Sequence, residues 1–214
     1  MENDLKAYRR SYEKGELQED DLPDSPYFLF HSWFNLADLS EDIQEANAMT
    51  LSTVSEHGHP KSRVVLLKSF SEKGFKFFTN YHSDKGRHLE NNPNCCISFF
   101  WPELEKQVII EGEAEKLPQE ESDEYFQIRP RGSQLGALAS SQSSVIESRH
   151  VLVKKLNELE KKYKDKPIPR PAYWGGYIIK PLCFEFWQGR KNRLHDRIRY
   201  RSNEEKWIVE RLSP

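Results

Sequence analysis

The sequence predicts a mainly β fold, in which an antiparallel sheet closes or nearly closes into a barrel with helices on its outside. Short runs rich in β-branched and aromatic residues alternate with turn signals through much of the chain after residue 48. These runs amount to about eight strands, which suits a barrel. No linker rich in glycine, proline or serine divides the 214 residues, so residues 21–214 are expected to form a single domain.

The N-terminal segment is expected to be a mobile arm, because residues 1–20 are highly charged and lack apolar periodicity. The first helix is predicted to follow, where Asp24 or Ser25 can cap it and Pro26 suits the first turn. Apolar residues then recur at helical spacing, at Tyr27, Phe30, Phe34 and Ala37. This stripe predicts the face on which the helix packs.

An antiparallel meander is predicted from Ala48 to Leu117. Its strand-like runs are TLSTV, SRVVLLKSF, FKFFTN, CCISFFW and KQVIIEGEAEKL. A short helix is expected to interrupt it near Ser83 to Asn91, because Ser83 is a good N-cap and Pro93 prevents continuation.

The rest of the chain is predicted to add helices and then more strands. QEESDEYFQI predicts a short helix that ends before Pro130, and the following RGSQLGALASSQSS is expected to be a small polar loop. Leucines at helical spacing predict an amphipathic helix from Val151 to Lys164. Strand character returns in WGGYIIKPLCFEFWQG, RLHDRIRYR and KWIVERL.

Charge and cysteine content argue against several classes of protein. A net charge of -2 disfavours a nucleic-acid binder that works by bulk attraction to phosphates. The cysteines, Cys95, Cys96 and Cys183, match neither a disulfide framework nor the spacing of a metal site. No apolar run has the length of a membrane span or of a secretory signal. We therefore expect a cytoplasmic protein without metal, membrane or nucleic-acid partners.

Two clusters of basic and hydrogen-bonding residues suit anionic ligands. In SRVVLLK, the odd separation of Arg63 and Lys68 places them on opposite faces of a strand unless a bulge intervenes. They would then serve two ligands or form ordinary surface charges. The second cluster lies between Arg129 and Ser144, where guanidinium groups and short donors suit phosphate oxygens but also a flexible polar loop.

A third cluster follows Trp187. Arg193, His195 and Arg197 alternate onto one face if this stretch is extended. Such a face is either exposed to solvent or opposite an anionic or polar ligand. Because three basic clusters occur in a protein of net charge -2, small phosphorylated ligands are favoured over a polymer.

A series of specific motifs runs in order from about Arg9 to the C-terminus. They are SRVVLLK, FFTNYHSDKG, EKQVIIEGEAEKL, YFQIRPRGSQLGALASSQSSVI, YWGGY, EFWQGRKNRLHDR and WIVERLSP. In these motifs the chain resembles the pyridoxine (pyridoxamine) 5'-phosphate oxidase family. The resemblance implies the FMN-binding split β-barrel, FMN as cofactor, and a homodimer with two active sites at the subunit interface.

The resemblance also implies an activity in vitamin B6 salvage and pyridoxal phosphate biosynthesis. Enzymes of the family oxidise pyridoxine 5'-phosphate or pyridoxamine 5'-phosphate to pyridoxal 5'-phosphate. Molecular oxygen is the acceptor and gives hydrogen peroxide, and the amine substrate also releases ammonia. Two other functions stay open, a non-catalytic split-barrel protein that binds FMN or pyridoxal phosphate, and a flavin reductase of the same architecture.

Site residues carry over from the family position by position. For FMN the matching residues are Arg63, Val64, Val65, Leu66, Phe78, Thr79, Lys85, Gln107, Gln142, Ser143, Trp187 and Arg197. For the substrate they are Lys68, Tyr125, Arg129, Ser133, Arg193, Leu194 and His195, with Arg9, Arg10, Ser11 and Tyr12 in an arm that folds over it. The resemblance places Arg193 and His195 at the reacting carbon, as the catalytic pair.

One position departs from the family pattern. Asp84 stands just before Lys85, where the family commonly has a basic residue. Arg87, one helical turn further on, is positioned to restore the positive charge.

Overall fold

A computed structural model of the chain describes residues 4–6, 10–203 and 206–214. Within them the chain forms five α-helices and nine β-strands. The helices are α1 (Pro26–Asp38), α2 (Asp84–Asn91), α3 (Gln119–Ile128), α4 (Arg131–Ala139) and α5 (Arg149–Lys162). The strands are β1 (Ala48–Val54), β2 (Pro60–Leu66), β3 (Ser69–Ser71), β4 (Gly74–Asn80), β5 (Asn94–Trp101), β6 (Lys106–Lys116), β7 (Trp174–Gln188), β8 (Asp196–Asn203) and β9 (Lys206–Leu212).

The strands form one hydrogen-bonded sheet, in the order β2-β1-β5-β6-β7-β4-β3, with β8 pairing with β7 and β9. β4 is antiparallel to the first half of β7, so that Thr79 lies opposite Gly175. β8 is antiparallel to the second half of β7, where Trp187 lies opposite Arg197. The 15-residue strand β7 therefore contributes to both of the regions described next.

The chain divides into two compact units. The first unit comprises Met1–Thr50, Cys96–Glu111 and Pro181–Pro214, and the second comprises Leu51–Cys95 and Gly112–Lys180. In the first unit α1 buries Phe30 against Phe99, with ring centroids 5.1 Å apart, and Trp33 against Phe186, at 5.3 Å. These contacts confirm the predicted helix, which follows Ser25 and carries proline in its first turn.

The core of the second unit holds α3, α4 and α5 beside β7. Its buried residues are Phe126, Leu135, Ile168 and Trp174, and the leucine stripe of α5 packs against them half-buried. The predicted helices at α2, α3 and α5 are confirmed. At α2 the Ser83 side chain accepts the Gly86 N–H, as an N-cap residue should.

One element was predicted wrongly. The stretch that begins with Arg131 was expected to be a loop, but Arg131–Ala139 is the helix α4. Pro130 fixes the backbone entering it, and Leu135 and Ala139 are buried one turn apart. The Gln134 amide donates to the carbonyls of Phe126 and Gln127 at the end of α3, at 2.9 and 3.1 Å. The helix α4 therefore has one buried face, which its mostly polar sequence did not indicate.

Two strand boundaries also differ from the prediction. SRVVLLKSF is not one strand, because β2 ends at Leu66 and β3 begins at Ser69. RLHDRIRYR is extended only from Asp196 onwards. Arg193 ends a 3-10 turn, Lys191–Arg193, in which it has φ 61°. Both differences change which way the basic side chains point.

Candidate active site

The main cavity of the second unit has a volume of about 720 Å³. β2, β4, α3 and α4 contribute to its wall, together with the residues around Gln142 and the start of β7. The lining includes these predicted site residues: Arg63, Val64, Val65, Leu66, Lys68, Phe78, Thr79, Lys85, Tyr125, Arg129, Ser133 and Gln142. Residues that lie far apart in the sequence, and that were predicted from separate motifs, are therefore brought together in one place.

Arg63 and Lys68 face the same cavity, which decides between the alternatives left by the sequence. The strand ends between them, and the Lys68 N–H donates to the Lys76 carbonyl at 2.8 Å. In a regular strand, Arg63 and Lys68 could point to the same side only with a bulge between them. The end of β2 at Leu66 has the same effect. Both cations can therefore serve one binding region.

The Arg63 guanidinium is fixed by neighbours that sequence reasoning missed. Its Nη1 donates to the Leu51 carbonyl at 3.0 Å and to Thr53 Oγ1 at 2.7 Å. Thr53 is buried, and its hydroxyl also contacts His88 Nδ1 at 2.9 Å. Burial lowers the pKa of Arg63. The inward alternation of β1 was the available signal for Leu51 and Thr53, but it does not reveal a polar partner.

Lys85 is a second cation in the cavity lining, and it is close enough to Arg63 to feel its charge. It sits in the first turn of α2, where its Nζ donates to Gln142 Oε1 at 3.2 Å, and Thr79 Oγ1 donates to the same oxygen at 3.2 Å. Burial, and secondarily Arg63, lowers the pKa of Lys85. Two partly desolvated cations, one of them in the first turn of a helix, have the chemistry that suits a phosphate group.

Asp84 does not line this cavity. Its carboxylate pairs with Lys61 and accepts a hydrogen bond from Arg87 Nη2 at 2.7 Å. The hydrogen bond from Lys61 is the largest cause that lowers the pKa of Asp84. The Asp84 N–H donates to Ser143 Oγ at 3.2 Å, and Ser143 itself lies outside the cavity lining. The acid is thus neutralised by two cations beside the predicted phosphate site.

The cavity lining also holds an arginine with an unused donor. Among the described residues Arg129 Nη1 is buried without a hydrogen-bond partner, and the guanidinium lies 4.4 Å from the ring centroid of Trp174. Burial lowers the pKa of Arg129 and raises that of Tyr125. Tyr125 stacks on Phe78, with centroids 3.9 Å apart. A buried donor over an aromatic wall suits a flat ligand that carries an anionic group.

The first unit holds a second basic cavity, of about 710 Å³, lined by Arg10, Ser11, Tyr12, Arg190, Asn192, Arg193 and His195. His195 Nδ1 accepts the Arg190 N–H at 3.0 Å, so a neutral ring carries its proton on Nε2. Burial, and then Arg193, lowers the pKa of His195. The ring lies 4.8 Å from Trp187 and 5.7 Å from Tyr12, between centroids.

The remaining predicted residues do not all join these cavities. The expectation that Arg193, His195 and Arg197 share one extended face is wrong, because the strand begins only at Asp196. Arg197 instead donates to Glu185 at 2.8 Å, and Gln107 donates to Ser98 at 3.4 Å. Leu194 lines a neighbouring cavity with Tyr12, and Trp187 contacts the rings of two residues that line the basic cavity, His195 and Tyr12. Arg9 lies outside the described residues.

No group of histidine, cysteine or acidic residues suited to a metal ion occurs within residues 4–6, 10–203 and 206–214. In the same part of the chain, no helix has the length and apolar character to cross a membrane.

Comparisons with known proteins identify the family. The sequence-family model described as pyridoxamine 5'-phosphate oxidase matches residues 37–163. The family model of the pyridoxine 5'-phosphate oxidase C-terminal dimerisation region matches residues 174–214. The chain belongs to the pyridoxamine 5'-phosphate oxidase family. It is 62% identical to the pyridoxine/pyridoxamine 5'-phosphate oxidase of Christiangramia forsetii, over 100% of both chains. Identity to the protein of the same name from Flavobacterium johnsoniae is 57%, over 99% of both.

Solved structures show the same fold. PhzG from Burkholderia lata 383, in complex with tetrahydrophenazine-1-carboxylic acid, gives a TM-score of 0.85 at 31% identity, covering 91% of this chain and 95% of PhzG. A pyridoxamine 5'-phosphate oxidase-related, FMN binding protein from Nostoc punctiforme gives 0.70 at 16% identity, covering 89% and 98%. The predicted antiparallel split-barrel class is confirmed. Family membership makes the chain an oxidoreductase with FMN as cofactor, as the resemblance implied.

Proposed function

We propose that the protein oxidises pyridoxine 5'-phosphate or pyridoxamine 5'-phosphate at C4' to pyridoxal 5'-phosphate, in vitamin B6 salvage. Molecular oxygen accepts the electrons and gives hydrogen peroxide, and water releases ammonia from the oxidised amine. The observation that carries the proposal is the cavity of the second unit, whose lining contains Arg63, Lys85 and Arg129, enough cations for two anionic groups. A phosphorylated cofactor and a phosphorylated substrate present two such groups.

The residues around Arg63 and Lys85 fit FMN. Arg63 and Lys85 are half-buried and buried cations, and the acid beside them is neutralised by Lys61 and Arg87. They would hold the phosphate, with Ser143 close to the same helix N-terminus, while Val64 to Leu66, Phe78, Thr79 and Gln142 would border the rest of the cofactor. Gln107, Trp187 and Arg197 are proposed for the flavin ring. The chemistry that FMN supplies when bound is hydride acceptance from C4' and reoxidation by oxygen.

The substrate phosphate is assigned to Lys68, Tyr125, Arg129 and Ser133. Arg129 is already desolvated and stacked, so its guanidinium needs little reorganisation to receive a dianion. This set would anchor the substrate at one end and fix the direction of its ring. Orientation of C4' is the main contribution that the protein makes to the rate.

The reacting end of the substrate is assigned to Arg193 and His195, with Leu194 and residues 9–12 beside them. The neutral His195 ring would donate a hydrogen bond from Nε2, because Nδ1 is occupied by the Arg190 N–H. His195 therefore serves as a donor that orients the substrate and is not required as a base. Tyr12 and its neighbours would exclude water from the reacting carbon.

We also propose a cytoplasmic homodimer with two active sites at the subunit interface. Support comes from the match of residues 174–214 to the family's C-terminal dimerisation region. The two basic cavities lie in different units of the chain, and a dimer offers a way for both to serve one substrate.

The deciding experiment follows pyridoxal 5'-phosphate and hydrogen peroxide together after pyridoxine 5'-phosphate is added in air to the FMN-loaded protein. Equal amounts of both products support the oxidase. FMN binding without turnover would favour the non-catalytic binding protein. For a flavin reductase, Arg129→Ala would leave the activity unchanged, since that reaction needs no substrate-phosphate site.

A further inference from the structure

Glu105 ties the N-terminal segment to the start of β6 through a buried carboxylate. The residue is 8% exposed, and its Oε2 accepts the backbone N–H of Glu13 at 2.7 Å and that of Lys14 at 2.8 Å. Hydrogen bonds to an ionised, desolvated acceptor are stronger than those between neutral groups. No step of the proposed reaction uses this carboxylate.

The backbone of Glu105 is itself held in an unusual conformation. It has φ 55°, in the left-handed region that residues other than glycine seldom adopt. Its carbonyl accepts the Gly189 N–H at 2.8 Å and a hydrogen bond from the buried Gln188 amide at 3.2 Å. Residues kept in such conformations are over-determined by their surroundings and cluster at functional sites.

The end of β7 is shaped to receive the segment. A Cβ at Gly189 would lie 2.7 Å from Tyr12 Cβ and 3.1 Å from Glu105 Cβ, so the close approach of both residues requires glycine. Tyr12 packs against this end of the strand. The centroid of its ring lies 5.6 Å from that of Trp187 and 5.7 Å from that of His195. The position of Tyr12 thus depends on the backbone that Glu105 binds.

The other contacts of the segment include two ion pairs and a backbone hydrogen bond further along the chain, from the Leu17 N–H to Asp196 Oδ2 at 3.1 Å. Glu13 pairs with Lys191 at 3.2 Å and Glu16 with Arg190 at 2.8 Å, and both acids are more than half exposed. Such pairs contribute little, because water screens them. The buried carboxylate of Glu105 binds the two backbone N–H groups that directly follow Tyr12 in the sequence.

We propose that Glu105 is a positioning residue for substrate binding. By binding the backbone of Glu13 and Lys14, it holds Tyr12 against His195 before substrate arrives. Substrate binding then does not have to order this segment, which would cost conformational entropy. The inference rests on the proposed function, which assigns Tyr12 and His195 to the substrate.

The test compares Glu105→Gln with the unchanged FMN-loaded protein. Backbone amide hydrogen exchange at Glu13 and Lys14 should become at least about tenfold faster, because the neutral amide cannot accept both N–H groups as strongly. The KM for pyridoxine 5'-phosphate should rise about fivefold or more, with kcat within about twofold, as expected for a loss of binding. Tyr12→Ala should have a similar effect, and the double variant should be no worse than either.

Two further variants control the experiment. Glu103→Gln removes a nearby carboxylate that accepts no hydrogen bond from the described residues, and should change neither exchange nor KM. Gly189→Ala keeps the Glu105 side chain but places a methyl group 2.7 Å from Tyr12 Cβ and 3.1 Å from Glu105 Cβ. It disturbs the same attachment by a second route and should also raise KM, which keeps the inference testable where Glu105→Gln does not fold.

Unchanged amide exchange in Glu105→Gln, or additive effects of Glu105→Gln and Tyr12→Ala on KM, would overturn the inference. If the unchanged protein oxidises neither substrate, the proposed function fails. Faster exchange in the variant would then still support the attachment, so the two failures can be told apart.

Discussion

Arg129 is the residue on which the proposed substrate recognition depends most, because its buried Nη1 lacks a partner among the described residues. Arg129→Met keeps a side chain that can cover Trp174 but removes the charge and the donors. We expect the KM for pyridoxine 5'-phosphate to rise about 30-fold or more, since a charge-assisted hydrogen bond is worth about 2–3 kcal/mol. FMN affinity, measured by quenching of flavin fluorescence, should change little, because Arg63 and Lys85 are untouched.

Arg131→Met provides the matched control for this prediction. Arg131 also lies near the start of α4, but it donates to the carbonyls of Tyr163 and Lys166 and does not line the cavity. Its substitution should lower the melting temperature and leave KM near the unchanged value. Equal effects of both substitutions on KM would contradict the assignment of Arg129 to the substrate phosphate.

His195 gives a prediction about pH. Its pKa lies below the usual 6.5, because burial and Arg193 disfavour the charged ring. Between pH 6.5 and the lowered pKa, the unfolded chain binds the extra proton and the folded chain does not, so the free energy of unfolding falls as the pH falls. His195→Ala should remove this contribution, so that its unfolding free energy declines less below pH 6.5. Denaturant titrations at several pH values measure the difference.

Turnover by the same variant tests the role of the ring. Because His195 is proposed to donate a hydrogen bond and not to abstract a proton, His195→Ala should retain measurable oxidation at saturating substrate, with kcat/KM reduced about 10- to 100-fold. A complete loss of turnover would identify the ring as an essential base. His57→Ala, at an exposed position away from both cavities, is the control.

At the scale of elements, most of the strands and the helices α1, α2, α3 and α5 were predictable, because each has a period, a cap or a proline that marks its boundary. α4 was not, since its sequence is rich in glycine and serine and its buried face amounts to Gln134, Leu135 and Ala139. The break between β2 and β3 also has no local signal in SRVVLLKSF. It depends on the pairing of Ser69–Ser71 with β4, which is a tertiary contact.

The helical nature of α4 can be tested at Gly132, which lies in its first turn with no atom within 4 Å of an added Cβ. Gly132→Ala should raise the free energy of unfolding by about 0.5 kcal/mol, because alanine loses less backbone entropy in a helix. Gly86→Ala in α2 is the counterpart, since a Cβ there would lie 2.1 Å from the Tyr81 carbonyl oxygen. It should lower stability by about 2 kcal/mol. Urea unfolding of both variants measures whether the free energy of unfolding rises or falls. A lower value for Gly132→Ala would contradict a regular helix.

At the scale of the whole molecule, the residues predicted for one active site occupy two separate units. The residues proposed to bind the two phosphates line the cavity of the second unit, whereas Arg193 and His195 line that of the first. Both sets of residues were predicted from the sequence motifs, through the family resemblance. They could not give this division, because it depends on how distant segments of the chain fold together.

The proposed interface sites predict complementation between two damaged chains. Arg129→Met alters the second unit and Arg193→Met the first, and each homodimer should be poorly active at low substrate concentration. If each site takes one set of residues from each subunit, a purified heterodimer with one chain of each kind has one fully damaged and one intact site. It should therefore recover about half of the unchanged activity, as twofold symmetry requires. If both sets come from the same subunit, every site in the heterodimer carries one substitution, and activity should stay at the level of the parent variants. Differently tagged chains, co-expressed and purified through both tags, allow this measurement, and sedimentation should give twice the 25.3 kDa chain mass.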